Sequence, residues 1–265
     1  MSLARRKRDR ILAAQTITAA VAPVRGVALA PAAVASPAAG ANTASPADRA
    51  AAQIVLRLTH DLRRLKEIKS IDRKIEAKRA MLPEYASWIE GILSADAGVG
   101  TGLAADVVPT CMVWMIDTGQ YGRALDLGEF LLRHRVEMPG RYERDVATII
   151  VEEIADAAAK IQNAGEAFDA SVLDTADSLT HGLDIHDQVR AKLLKAIGIE
   201  QLRKAEEMAA EDSAHVLASA LVNLREAHRL HNRVGVTPRI KRADKLLAAV
   251  HAAAAITDTS GTPAA

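Results

Sequence analysis

The sequence predicts an all-α fold: a long basic helix near the N-terminus followed by an array of helical hairpins. Three observations predict it. Apolar residues recur at intervals of three and four along most of the chain, the period of one helix face rather than of a strand. Hydrophobic residues make up 49% of the chain and aromatics only 3%, and much of the apolar content is alanine, which favours helix and buries little area per residue. The periodic stretches are separated by short Gly- or Pro-bearing breaks, the layout of helix pairs. A length of 265 residues leaves room for one or two domains with tails.

Taken in order, residues 1–50 read as a mobile arm and linker. They begin with the basic run Arg5, Arg6, Lys7, Arg8 and Arg10, and continue through small residues interrupted by Pro23, Pro31, Pro37 and Pro46, which block a long helix. The run imitates a secretory signal, although Gln15, Thr16 and Thr18 weaken its apolar region. Ser45-Pro46-Ala47-Asp48 has the form of a helix start, with Ser as N-cap and Pro in the first turn. From there Leu58, Leu62, Leu65, Ile68, Ile71 and Ile75 form a single stripe, predicting one long amphipathic helix that ends near Met81-Leu82-Pro83 and defines a unit over 51–83.

Residues 84–200 are expected to form the hairpin core. Helices are predicted over 84–93, over the apolar segment ending at Met115, over 121–135 and over 146–162, with breaks at the glycine-containing stretch 95–101, at Asp117-Thr118-Gly119-Gln120 and at Met138-Pro139-Gly140. Residues 171–231 continue as helices broken near Gly182 and Gly198, with Leu217, Leu221, Leu224, His228 and Leu230 on or beside one face. Pro238 opens a final basic helix to about residue 255. A C-terminal region is therefore placed at 201–255 and a disordered tail at 256–265. Small residues at the packing positions point to tetratricopeptide-like hairpins, though no 34-residue period repeats cleanly.

The net charge of +1 hides an uneven distribution. Residues 57–79 hold nine Lys or Arg against four acids, whereas residues 84–189 hold nineteen acids against six bases. A positive excess on one helix, with a second basic cluster upstream, is the electrostatic footprint of a protein that meets a phosphate backbone. The candidate DNA contacts are Arg5, Arg6, Lys7, Arg8, Arg10, Arg57, Arg63, Arg64, Lys66, Lys69, Arg73, Lys74, Lys78 and Arg79. No aromatic residue interleaves with them, which argues for duplex contact over single-strand stacking.

Other chemistry finds weaker support. Gly98-Val99-Gly100-Thr101-Gly102 lacks the preceding strand of a phosphate-binding loop, and no Gly-Lys-Ser or Gly-Lys-Thr occurs, so an ATP motor is disfavoured. His181 with His186, and His228 with His231, lack the third ligand of a zinc site. Glu152, Glu153 and Asp156 are the densest acids for a metal-dependent nuclease, yet acidic helix faces are usually only solvated, and no catalytic residue is assigned. Cys111, the single cysteine, lies in an apolar run and is expected to be buried and inert. The apolar stretches are too short or too charged to span a membrane.

Several motifs resemble those of the small terminase subunits of tailed temperate phages, often labelled the terminase endonuclease subunit. They run in order: Asp61-Leu62-Arg63-Arg64-Leu65-Lys66, Leu82-Pro83, Trp88-Ile89-Glu90-Gly91-Ile92-Leu93, Val113-Trp114-Met115-Ile116-Asp117-Thr118-Gly119, Ala124-Leu125, Met138-Pro139-Gly140, Glu152-Glu153 and Val189-Arg190-Ala191-Lys192-Leu193. Coverage is roughly residues 53–200. The resemblance implies binding of the packaging site on double-stranded DNA, assembly into a ring-like homo-oligomer, and recruitment of a large ATPase subunit, all in the bacterial host cytoplasm. It assigns no cofactor, and a divalent metal enters only if the chain itself cuts DNA. Two other readings stay open: an endonuclease in its own right, and an adaptor that binds only protein. Trp88 and Trp114 are expected to anchor the core, while Gly91 and Gly119 are expected to permit close packing or a turn.

Overall fold

A computed structural model describes residues 45–260, and among them there are helices and no strands. The first, α1 (Pro46–Glu67), starts where the sequence places it. The Ser45 hydroxyl accepts from the Asp48 amide at 3.1 Å, and the Asp48 carboxylate accepts from the Ser45 amide at 3.0 Å, a reciprocal cap that satisfies two otherwise orphaned donors. Its buried face is Ile54, Leu58, Asp61 and Leu65.

The single long helix predicted through residue 81 is two helices. Ile68 turns extended, Ser70 caps a new start by accepting from the Arg73 amide, and α2 runs Ile71–Met81. Ser is a good N-cap and a poor helix interior residue, so the break falls where it is cheapest. The bend seats Ala77 and Met81 in the core and leaves Ile71 74% exposed, so the apolar stripe does not continue as one face.

A 3-10 turn (Leu82–Tyr85) leads into α3 (Ala86–Ala95), and a second (Gly102–Asp106) into α4 (Val107–Asp117). Every residue of α4 from Val107 to Ile116 is buried, including Cys111. Helices α5 (Tyr121–Arg133) and α6 (Val146–Asn163) follow, then α7 (Ala170–Thr180), α8 (Asp187–Glu207), α9 (Ala210–Leu230) and α10 (Thr237–Ser260). Consecutive helices pack on one another from α4 to α10, and α4 also packs on α6, α5 on α7, and α6 on α8. In the middle of the chain, α4 to α8, helices thus touch both their neighbour and their next-but-one, as in a hairpin array.

Most buried side chains form one cluster, reaching from Ile54 on α1 to Val236 ahead of α10. A smaller cluster joins Leu202, Ala205, Val216, Leu217, Ala220, Leu221 and Ala243. Helix α8 runs without interruption through residue 200, where the sequence places a boundary, and α10 extends to Ser260, into the stretch expected to be a disordered tail. Residues 1–44, most of the arm and linker expected over 1–50, and 261–265 lie outside the described residues, whereas residues 46–50 open α1.

Three residues behave differently from expectation. Gly198 does not break a helix; it lies inside α8, where a Cβ would sit 2.7 Å from Leu224 Cγ of α9 and 3.3 Å from the Ala220 carbonyl oxygen. Its value is close approach of two backbones. His228 is exposed, and the buried face of α9 is completed by Ala220 and Ala227 instead. Gly91 marks neither a turn nor a close contact: it is exposed within α3, and nothing lies within 4 Å of a Cβ built there. Gly91→Ala is therefore expected to stabilise the protein by about 0.5–1 kcal/mol through backbone entropy alone. Thermal unfolding checks this, and a lowered midpoint would refute it.

Candidate nucleic-acid interface

The α1–α2 corner is held from inside. Asp61 is buried on α1, and its carboxylate accepts from the Tyr85 hydroxyl at 2.8 Å; Tyr85 is itself fully buried and stands edge-on to Trp114, ring centroids 5.8 Å apart. Desolvation, then the hydrogen bond to Asp61, push the Tyr85 phenol far above its ordinary value, so it stays a donor throughout the physiological range. This pair ties α1 to the 3-10 turn that follows α2.

Three candidate cations are already engaged within the protein. Arg57 pairs with Glu84 at 2.9 Å, Lys78 with Asp117 at 2.5 Å, and Arg79 donates to the Thr118 carbonyl at 3.4 Å. The last two explain why Asp117-Thr118-Gly119 matters. Asp117 and Thr118 receive α2; the Thr118 hydroxyl closes the end of α4 by donating to the Trp114 carbonyl at 2.9 Å; and Gly119 supplies the φ of +79° that the turn requires.

The remaining six, Arg63, Arg64, Lys66, Lys69, Arg73 and Lys74, form no ion pair among the described residues. They occupy the end of α1, the three-residue link and the start of α2. Stepping about 100° per residue places Arg63 opposite the Ile54–Leu58–Asp61–Leu65 stripe and Lys66 on its flank, both facing solvent. All six lie within or on either side of the break between α1 and α2. The upstream candidates Arg5, Arg6, Lys7, Arg8 and Arg10 lie outside the described residues.

The acidic candidates are arranged differently. Glu152 is bound by Arg144 and lies 3.7 Å from Lys192, and Asp156 is held by Lys192 at 2.9 Å. Glu153 lines a groove of about 470 Å³ with Asp117, Asp156, Glu166, Tyr121 and Lys160. No group of three or more His, Cys, Asp or Glu side chains among the described residues is placed to hold a metal ion. Partial desolvation, then the charges of Asp117, Glu152 and Asp156, raise the Glu153 carboxyl above its ordinary value. A carboxyl raised on folding costs stability when ionised; the cost is complete above the folded value and gone below the unfolded one. Glu153→Gln is therefore expected to raise the melting temperature at neutral pH, with the gain fading as pH falls toward the ordinary Glu range. A pH-independent gain would contradict this origin.

Other motif residues have structural roles. Arg190 donates to Asp177 at 3.2 Å and to the Thr180 carbonyl at 2.6 Å, clasping the end of α7 to α8. Trp114 is buried as expected, whereas Trp88 is only half-buried. The glycine-rich stretch is an interhelical loop before a 3-10 turn, with no strand ahead of it. Sequence reasoning missed a basic cavity formed by residues of α6, α8 and the α9–α10 link, because its members are separated by tens of residues and share no local pattern.

The family described as "Phage small terminase subunit" matches residues 55–188. Over 195 residues the chain is 34% identical to the "Terminase, endonuclease subunit" of Escherichia phage P2, covering 74% of this chain and 73% of that protein. It is 23% identical over 195 residues to the "Probable terminase, endonuclease subunit" of Haemophilus phage HP1, covering 72% and 68% respectively. No solved structure matches.

Proposed function

The chain belongs to the phage small terminase subunit family, and from that premise we propose that it is the duplex-binding component of the packaging complex. It holds the packaging-site duplex through phosphate contacts, self-assembles, and brings a large ATPase subunit to the DNA in the host cytoplasm. The observation that carries this reading is the set of six cations around the α1–α2 bend that form no ion pair among the described residues. Five of the six, Arg63, Arg64, Lys66, Lys69 and Arg73, are exposed, which suits contact along a backbone rather than a deep site, so affinity comes from many weak contacts multiplied by oligomerisation. No described helix is long and apolar enough to cross a membrane.

If about six phosphates are neutralised, affinity for packaging-site DNA is expected to fall about a thousandfold between about 50 and 200 mM salt. Filter binding measures this directly, and salt-insensitive retention would refute the reading. A second reading, cleavage by this chain, draws on the printed names of both phage relatives. The engagement of Glu152 and Asp156 by Arg144 and Lys192 supports placing the cutting centre elsewhere in the assembly. Magnesium-dependent cutting of packaging-site DNA by the purified full chain, without a large subunit, would reverse that order.

A further inference from the structure

We infer that the cavity between α6, α8 and the α9–α10 link is a binding site for a phosphate group, separate from the α1–α2 corner. The cavity holds about 300 Å³ and is lined by Asp156, Gln188, Lys192, Lys195, His231 and Arg233 among others. Its lone carboxylate, Asp156, is already taken by Lys192 at 2.9 and 3.1 Å. The other cations have no acid opposite them: among the described residues neither Lys195 nor Arg233 forms an ion pair.

Lys195 is the centre of the site. It is half-buried, and its ammonium donates to the Val234 carbonyl oxygen at 2.8 Å. An ammonium carries three N–H donors, so two remain for a ligand. Burial, then the nearby Arg239 guanidinium, press the Lys195 ammonium below its ordinary value, the situation that a bound anion relieves. Lys195 reaches the cavity from α8, and His231 and Arg233 from the link after α9. A point-charge ammonium and a forked guanidinium lining one small cavity suit the charge and size of a phosphate group, with Arg233 able to bind two of its oxygens.

The phosphate can come from a DNA backbone or from a free phosphate, and the same variants separate the two. Isothermal titration of the full-length protein with inorganic phosphate, at constant ionic strength and with chloride as control, is expected to show saturable binding. Lys195→Met and Arg233→Ala should each weaken it at least tenfold. Arg233 is exposed and forms no ion pair among the described residues, so its variant keeps the test valid if Lys195→Met unfolds. No saturable phosphate binding, or equal binding by wild type and Arg233→Ala, would overturn the site. Given the phosphate result, a DNA-binding salt slope shallower by about one in the variants identifies a backbone phosphate, and an unchanged slope identifies a free one. The titration uses no DNA, so it can fail or succeed independently of the duplex-binding reading.

Discussion

Replacing Arg63, Lys66, Lys69 and Arg73 together by alanine is expected to weaken duplex binding by about a hundredfold or more near 150 mM salt, and to make the slope of log affinity against log salt shallower by about three to four. The effect is large because each cation removed means fewer counterions released on binding, and these four form no ion pair among the described residues that would restrain them. They are also exposed, so the fold should survive: melting temperature and far-UV circular dichroism should match wild type. Lys78→Ala supplies the contrast. It leaves Asp117 without its 2.5 Å partner, so its expected effect is on stability, with little change in salt slope. Equal slopes for the quadruple variant and wild type would remove the α1–α2 corner from the interface.

Gly198→Val should lower the melting temperature more than any surface substitution proposed for this protein. A Cβ at this position meets Leu224 Cγ at 2.7 Å and Cδ2 at 2.8 Å, with the Ala220 carbonyl behind at 3.3 Å. Leu224 is fully buried and has little room to withdraw. Overpacking of this kind costs about 1–3 kcal/mol, and more when backbone blocks relief. An expected loss of about 3 kcal/mol lowers the midpoint by about 6–12 °C at this chain length. Alanine should cost less, because its better helix propensity returns about 1 kcal/mol. Thermal unfolding followed at 222 nm distinguishes the two, and a wild-type midpoint for Gly198→Val would mean that α8 and α9 do not approach this closely.

The two glycines Gly91 and Gly198 show why one residue type can mislead. Both sit inside helices, yet one faces open space and the other a leucine of the next helix. A sequence records the missing side chain in both cases and the neighbour in neither. The same holds for α1 and α2. Period-three-and-four spacing correctly predicted helix on both sides of Ser70, but the spacing of Leu58 to Ile75 is also what two helices joined by a short link produce. The capping role of Ser70 was a local signal available beforehand; the stripe outweighed it.

By itself the sequence determined the helical class, the capped start at Ser45, the buried Cys111 and Trp114, and the turn at Gly119, because each depends on contacts within a few residues or on the average environment of an apolar run. It also determined where positive charge accumulates, and its motifs carry the family. Only the tertiary structure decided which cations are available. Arg57, Lys78 and Arg79 are indistinguishable in sequence from Arg63 and Lys69, but their partners Glu84, Asp117 and Thr118 arrive from up to 39 residues away. Pairing and desolvation depend on distances of a few ångströms across helices, and those distances are set by packing rather than by any local pattern.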